Sequence, residues 1–193
     1  MTQSQPQPIR VLGIDPGSRR LGWAMVQCGR PPQRLDSGVL TAKASKPVAQ
    51  RLGILLGELE RLLAAHDPDV LAIEQAFVYK NPKTALVIGQ ARGIPLALCA
   101  ARDMQIYEYQ PSVIKQTVVG SGRATKEQMR RMVQLQFELS TLPLEDEADA
   151  LAVALTYAIG AARPVASKDE MTDSRSYYLA VTEAAKRRGG KRR

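Results

Sequence analysis

The sequence predicts a mixed α/β domain, and three observations support this fold class. Three short apolar runs separated by turn residues open the chain, which is typical of consecutive antiparallel strands. A leucine-rich stretch at residues 47–66 then places apolar residues at helical spacing. After it, two further short apolar runs alternate with helical patterns. A chain of 193 residues is long enough to form one domain with a sizeable core.

The first three elements are predicted strands at residues 9–14, 21–26 and 35–41. They are separated by segments containing Gly, Ser and Pro, which are typical turn residues, and Gly17-Ser18 lies in the first of these. Two hairpins in succession favour a three-stranded antiparallel start to the sheet.

Residues 47–66 are predicted to form an amphipathic helix. Its apolar residues recur every three or four positions and form one stripe: Val48, Leu52, Leu55, Leu56, Leu59, Leu62 and Leu63. Arg51, Glu58 and Arg61 are predicted to lie off that stripe.

The remaining elements alternate and then become helical. Strands are predicted at residues 69–75 and 104–109, with a helix at 83–101 between them, and helices follow at 111–119, 125–137 and 145–162. Thr125 and Gln128 have the spacing of a capping box at the start of one of these helices. The Gly-rich, basic stretch at 118–127 is predicted to be a mobile surface loop.

Two predicted strands end in a carboxylate. Asp15 closes the first strand and Glu74 closes the fourth. A right-handed return from the third strand makes the fourth strand parallel to the first, so the ends of both strands meet. Asp15 and Glu74 are therefore predicted neighbours, although Asp-Pro-Gly is also ordinary turn chemistry and Asp15 could be a turn residue.

A second acidic pair lies at the start of the last predicted helix. Asp146 and Asp149 are three positions apart and share a helix face, which apolar residues such as Val153 continue. A helix packed on the sheet by that face would point both aspartates inward. The alternative is that they complement the helix dipole, as acidic residues in a first turn often do.

Together, Asp15, Glu74, Asp146 and Asp149 would repel one another unless some were protonated or a cation lay among them. An all-oxygen ligand set favours Mg²⁺ or Mn²⁺ over zinc, and His66 is the only histidine. Carboxylates holding two such cations on a basic protein indicate phosphodiester hydrolysis.

Composition limits the classes of function. The net charge of +8 and the pI near 9.7 favour a nucleic-acid partner. The single histidine argues against a His-rich metal site and a Ser-His-Asp triad. Cys28 and Cys99 give no disulfide framework, which fits a reducing cytoplasm. The polar N-terminus does not resemble a signal peptide, and no apolar run is long enough to span a membrane, so a cytoplasmic location is expected.

The expected domain organisation has three parts. Residues 1–8 are predicted to be a disordered extension, 9–163 the nuclease domain, and 164–193 a basic, disordered tail. The tail ends in "KRRGGKRR", which could contact phosphates without sequence specificity or could serve solubility alone.

Five segments in one order resemble a known family. "GIDPGSRRLGW", "AIEQAF", "GQARG", "IKQTVVGSGRATKEQ" and "DEADALAVAL" are closely similar to RuvC, the family of bacterial Holliday-junction resolvases, over residues 9–162. The resemblance implies a ribonuclease-H-like fold with a five-stranded mixed sheet flanked by helices. It also implies a homodimer that resolves four-way DNA junctions by paired symmetric nicks, leaving 5′-phosphates, in homologous recombination and DNA repair. A RuvA-RuvB branch-migration complex is the partner that the family implies.

The resemblance also assigns site residues. It implies that the carboxylates of Asp15, Glu74, Asp146 and Asp149 are catalytic and bind Mg²⁺ or Mn²⁺, with two ions per active site.

Candidate DNA-binding residues lie outside this quartet. The resemblance places DNA contacts at Lys115 and Lys126 and a stacking aromatic at Phe77, and Arg123 lies beside Lys126 in the Gly-rich stretch. Ordinary surface charge is the alternative for the lysines, and a core position is the alternative for Phe77. The helix containing "ALVIGQARG" resembles the one that forms the dimer.

Three other functions share part of this pattern. A ribonuclease-H-like protein acting on RNA would share the first strand motif. A module of the actin-like ATPase superfamily would also carry Asp-Gly turns, but that fold needs two such domains. A junction-binding protein without catalysis is the third, and the intact acidic quartet argues against it.

Overall fold

The computed structural model describes residues 7–75 and 81–161. Phe77 and the predicted tail at 164–193 lie outside the described residues. The described elements, in chain order, are β1 (Arg10–Asp15), β2 (Arg20–Gln27), β3 (Gln33–Thr41), α1 (Val48–His66), β4 (Val70–Glu74), α2 (Pro82–Ala100), β5 (Gln105–Tyr109), α3 (Pro111–Val119), α4 (Lys126–Gln136) and α5 (Glu145–Ala161).

The strands described within 7–75 and 81–161 form one five-stranded sheet with the order β3-β2-β1-β4-β5. β1 pairs antiparallel with β2, and β2 pairs antiparallel with β3. β4 is parallel to both β1 and β5. The predicted mixed α/β fold and the parallel return to β4 are thus confirmed.

Helices cover both faces of this sheet. Side chains alternate across a strand, so Val11 of β1 faces the core formed with α3, α4 and α5, while Leu12 and Ile14 face α1 and α2. The same alternation puts Val70 of β4 on the α5 side. Strands that are buried on both faces need near-continuous apolar runs, and β1 and β4 have this pattern.

Two glycines allow α5 to lie unusually close to the sheet. A Cβ atom on Gly13 would collide with the carbonyl oxygen of Ala150, and one on Gly22 would collide with the carbonyl oxygen of Asp146. Any larger residue at either position would therefore push the helix away. This close approach fixes the height of the first turn of α5 above the sheet.

The buried face of α1 differs from the predicted stripe. Arg51 is only 7% exposed and lies on the same face as Leu55 and Leu59, whereas Leu56 is 38% exposed. The prediction that Arg51 lies off the buried stripe is wrong, because its guanidinium reaches back to the β1–β2 turn and bonds Ser18. A spacing pattern that counts only apolar residues cannot register this contact.

The Gly-rich connection between α3 and α4 is a hydrogen-bonded turn and not a loose loop. The side chain of Gln116 donates to the carbonyl of Gly120 and accepts from the amide of Gly122. The predicted capping box is confirmed, since Thr125 and Gln128 exchange side-chain and backbone hydrogen bonds. This turn sets the direction in which α4 begins.

In the part of the chain that the structure describes, no helix is both long and apolar enough to cross a membrane.

Candidate active site

β1 and β4 each end in a carboxylate on the same side of the sheet. The parallel register pairs Ile14 with Ile73, so Asp15 and Glu74 follow directly at the carboxyl ends of adjacent strands. Asp15 has the same strand parity as Gly13, which lies under α5, and therefore faces that helix. The predicted proximity of the two carboxylates is confirmed.

The first turn of α5 brings two more carboxylates to this edge. Gly22 pairs with Asp15 across the β1–β2 ladder, and the backbone of Asp146 lies directly over Gly22. The side chains of Asp146 and Asp149 keep only 28% and 30% of their surface exposed. The aspartates that the sequence placed on one helix face thus lie above the end of β1.

The four acidic groups interact electrostatically. Burial, followed by the charges of Asp149, Glu74 and Asp146, raises the pKa of Asp15 to about 7. Burial and then Asp149 raise the pKa of Glu74, and burial also raises the pKa of Asp149. Shifts of this direction are typical of carboxylates crowded into a partly buried site, and such groups favour a cation.

Two lysines lie at the same edge. Lys126 Nζ is 4.0 Å from Asp149 Oδ2 and 3.8 Å from Glu145 Oε2. The positive charges of Lys115 and Lys126 oppose the upward shifts in the pKa of Glu74 and Asp149. The structure therefore brings both predicted lysines to the carboxylates.

Arg123, another predicted DNA contact, is exposed in the turn before α4. Its backbone amide donates to the hydroxyl of Ser121 at 3.4 Å. Phe77 lies outside the described residues, so its predicted stacking role stays a prediction.

Comparison with known proteins shows the family of this chain. The family described as Crossover junction endodeoxyribonuclease RuvC matches residues 11–157. A relative from Thermomicrobium roseum with that same description is 48% identical over 150 residues, which is 77% of this chain and 92% of the relative. The chain belongs to the RuvC family.

Solved structures support the same assignment. RuvC of T. thermophilus in complex with a Holliday junction substrate superposes with a TM-score of 0.74 at 32% identity, covering 79% of this chain and 94% of that one. The yeast mitochondrial Holliday junction resolvase reaches a TM-score of 0.61 at 13% identity, covering 94% of this chain and 87% of that one, and shares the fold. The predicted ribonuclease-H-like fold is confirmed.

RuvC-family nucleases depend on metal, and the chemistry of the four carboxylates suits a hard cation that prefers oxygen ligands. In their described conformations, however, no three Asp, Glu, His or Cys side chains within 7–75 and 81–161 are placed to hold one ion together. Protein cations lie against two of the four instead, since Arg20 binds Asp146 and Lys126 lies near Asp149. The four carboxylates are ligands of the type that such a metal prefers, but in these positions they do not surround a single ion.

Two arginines that contact the segments carrying the carboxylates were not predicted from the sequence. Arg20 at the start of β2 donates through Nε to the carboxylate of Asp146. Arg92 of α2 is buried, donates to the backbone carbonyl of Glu74, and pairs with Glu108 at 2.8 Å. Two features of the sequence could have indicated them. Arg20 belongs to an Arg-Arg pair just after the Asp15 turn, and Arg92 lies in the "GQARG" motif of a mostly apolar helix.

Proposed function

We propose that this chain resolves four-way DNA junctions by nicking two opposing strands symmetrically. The observation that carries the proposal is the meeting of Asp15, Glu74, Asp146 and Asp149, from two parallel strands and one helix, where burial and neighbouring charges raise the pKa of Asp15, Glu74 and Asp149. Curated relatives are named crossover junction endodeoxyribonucleases, which are hydrolytic nucleases. Recombination and DNA repair are the processes that this activity serves.

The carboxylates would hold two Mg²⁺ or Mn²⁺ ions, which would activate a water and stabilise the leaving 3′ oxygen. Asp15 would be a central ligand of these ions, because it lies between Glu74 on the neighbouring strand and the aspartates of α5. Arg20 supports Asp146 from the outer side. Hydrolysis in this direction leaves a 5′-phosphate and a 3′-hydroxyl, which a ligase can rejoin.

Basic and aromatic residues would hold the DNA around the carboxylates. Lys115 and Lys126 are close enough to act on the pKa of Glu74, so they are in position to contact phosphates beside the scissile bond. Arg123 is exposed in the adjoining turn. By resemblance, Phe77 would stack on bases near the junction centre.

Two symmetric nicks need two equivalent sites, which a homodimer with a two-fold axis provides. We assign α2 to the dimer interface, in keeping with the resemblance. Leu86 on this helix is 65% exposed although the helix is apolar on most sides, which supports a further partner surface. Cooperation with a RuvA-RuvB complex and a cytoplasmic location follow from the family and from composition, and both stay predictions.

The test compares three substrates, a four-way junction, a linear duplex and an RNA–DNA hybrid, each incubated with Mg²⁺ or Mn²⁺, and maps the nicks. We expect paired nicks in the junction alone. Asp15→Asn should abolish cleavage and leave junction affinity within a few-fold, because affinity comes mainly from phosphate contacts. Asp103→Asn is the matched control, since Asp103 is exposed and its positive φ of 54° suits asparagine.

Cleavage of the hybrid in preference to the junction would support a nuclease acting on RNA instead. Junction affinity that fell together with activity in Asp15→Asn would contradict the separate roles of carboxylates and basic residues.

A further inference from the structure

A cleft next to the carboxylates has four basic side chains in its lining and, among the described residues, no acidic one. It measures about 490 Å³ and lies between the β1–β2 turn, α1 and the first turns of α2. Arg19, Arg20, Arg51 and Lys83 contribute its positive charge. Its size is within the range of pockets that bind small ligands, and its charge selects for anions.

Arg51 gives this cleft a buried cation that has no counter-charge among the described residues. The residue is 7% exposed, and no carboxylate of the described residues forms a salt bridge with it. Its Nη1 and Nη2 atoms make only long bonds, 3.4 Å each, to the carbonyl of Ala44 and the hydroxyl of Ser18. Its Nε atom is buried and has no hydrogen-bond partner within the described residues.

A buried guanidinium in this state is unfavourable by itself, and a bound anion would offset its charge and give its Nη atoms a closer acceptor than the two 3.4 Å bonds. Among anions, phosphate matches the planar fork of arginine donors best.

The cleft continues from the carboxylates. Arg20 lines it and also binds Asp146, while Ser18 follows Asp15 in the same turn. Lys83 at the start of α2 is exposed at its outer rim. The helix amides there already donate to the Asn81 side chain, so the lysine side chain and not the helix end supplies the contact.

We infer that this cleft binds one backbone phosphodiester of the cut strand, next to the scissile phosphate, with Arg51 as the buried anchor and Lys83 as the outer contact. The inference rests on the proposed junction-cleaving function. It assigns the cleft a positioning role: holding the neighbouring phosphate fixes the strand as it passes over the carboxylates.

The experiment uses junctions that carry a single uncharged methylphosphonate, moved one position at a time on either side of the cut. Affinity is measured by gel shift in EDTA for the wild type, Lys83→Ala and Arg51→Met. We expect one position to cost the wild type roughly tenfold in affinity, as loss of a charged hydrogen bond does. Both variants should bind the unmodified junction more weakly, and each should lose much of the sensitivity at that same position, because one of the two contacts to the phosphate is gone.

Arg61→Met is the matched control, because Arg61 lies on the exposed side of the same helix. It should retain the sensitivity of the wild type at every position. Full wild-type sensitivity in Lys83→Ala and Arg51→Met would overturn the inference.

A second arm separates binding from a structural role for Arg51. Because Arg51→Met removes an unpaired buried charge and keeps the aliphatic stem, its melting temperature without DNA should be unchanged or higher. A lower melting temperature with equal sensitivity at all positions would make Arg51 structural and overturn the inference. Inorganic phosphate could instead stabilise the wild type but not Arg51→Met, while methylphosphonate affects the wild type and the variants equally at every position. The ligand of the cleft would then be free phosphate, and the inference would be overturned.

The two proposals can fail separately. If the wild type nicks the unmodified junction but no methylphosphonate position has an effect that depends on Arg51 or Lys83, only the inference about the cleft is refuted. Protein that never nicks the junction refutes the proposed function, while coupling in the binding assay would still locate the phosphate.

Discussion

Asp15 is the residue on which we propose that the chemistry of the site depends. Its carboxyl is buried beside three other acidic groups, and its pKa is raised from 3.8 to about 7 by burial and by those charges. A carboxyl in this position resists ionisation until a cation offsets the repulsion. The same residue that would bind metal is therefore a source of instability without it.

This raised pKa predicts a pH-dependent stability in EDTA. The folded protein holds the Asp15 proton up to about pH 7, whereas the unfolded chain releases it near 3.8, so the free energy of unfolding falls as pH rises between these values. The melting temperature of Asp15→Asn should be close to that of the wild type at pH 4 and higher than it at pH 8. The difference at pH 8 corresponds to a free energy of unfolding on the order of a few kcal/mol. Thermal melts of both proteins at the two pH values measure the difference, and equal curves at pH 8 would contradict a crowded quartet.

Phe77 carries a second prediction at this scale. An exposed ring near the junction centre could replace a lost base-stacking partner, which is worth about 1–3 kcal/mol per base. Phe77→Ala should therefore strongly lower cleavage of intact junctions, spare a junction already opened by unpaired bases, and hardly change the melting temperature. A loss of roughly 3–5 kcal/mol in stability would instead place Phe77 in the core.

At the scale of elements, the distance between α5 and the sheet decides whether the quartet assembles. Gly22 is opposite Asp15 in the β1–β2 ladder and lies beneath the backbone of Asp146. Asp146 and Asp149 of α5 can reach the carboxylates that end β1 and β4 only because Gly22 places no side chain between α5 and the strands.

Gly22→Ala should therefore impair both stability and catalysis. The added methyl group would collide with the carbonyl of Asp146, and overpacking of this kind typically costs about 1–3 kcal/mol. Because it moves the first turn of α5, cleavage should fall by roughly tenfold or more even at temperatures where the variant is folded.

Gly53→Ala in α1 is the matched control for this substitution. A Cβ at Gly53 meets nothing within 4 Å, so alanine should raise stability by about 0.5–1 kcal/mol and leave cleavage unchanged. Melting curves and nicking rates of the two variants together test the role of the close approach. Wild-type cleavage by Gly22→Ala would show that α5 can move without disturbing the site.

At the scale of the whole molecule, two helical layers bury the central strands β1, β2 and β4 and leave the carboxyl ends of β1 and β4 accessible. Open α/β sheets bind ligands at such edges because the strands end there and the helices diverge. The basic groups Lys115, Lys126 and Arg20 lie at this edge with the acidic quartet. A polyanion can therefore approach the carboxylates along a positively charged surface.

The last prediction concerns the contribution of the predicted basic tail to DNA binding. Residues 164–193 contain eight basic and four acidic residues, so they carry half of the net charge of +8. Deleting the chain after Arg163 should weaken binding to junction and duplex alike and reduce the slope of affinity against salt, because such a tail releases counterions without reading shape. Loss of the preference for junction over duplex would make the tail a recognition element.

The sequence by itself determined the order of the elements, the parallel return of β4, and the carboxylates that end β1 and β4. Each of these depends on local patterns: apolar periodicity, turn residues and the handedness of crossovers act over short stretches of chain. Asp146 and Asp149 were predictable for the same reason, since their spacing alone places them on one helix face.

Only the tertiary structure decided which charged residues are buried and which neighbours they meet. Arg51 looks like a surface residue of α1 until the β1–β2 turn packs against it, and Arg20 meets Asp146 from a position far away in the chain. Gly22 reads as an ordinary strand residue, although the helix above it leaves no space for a side chain. These features depend on contacts between distant segments, and periodicity within one segment contains no information about the surface that another segment presents.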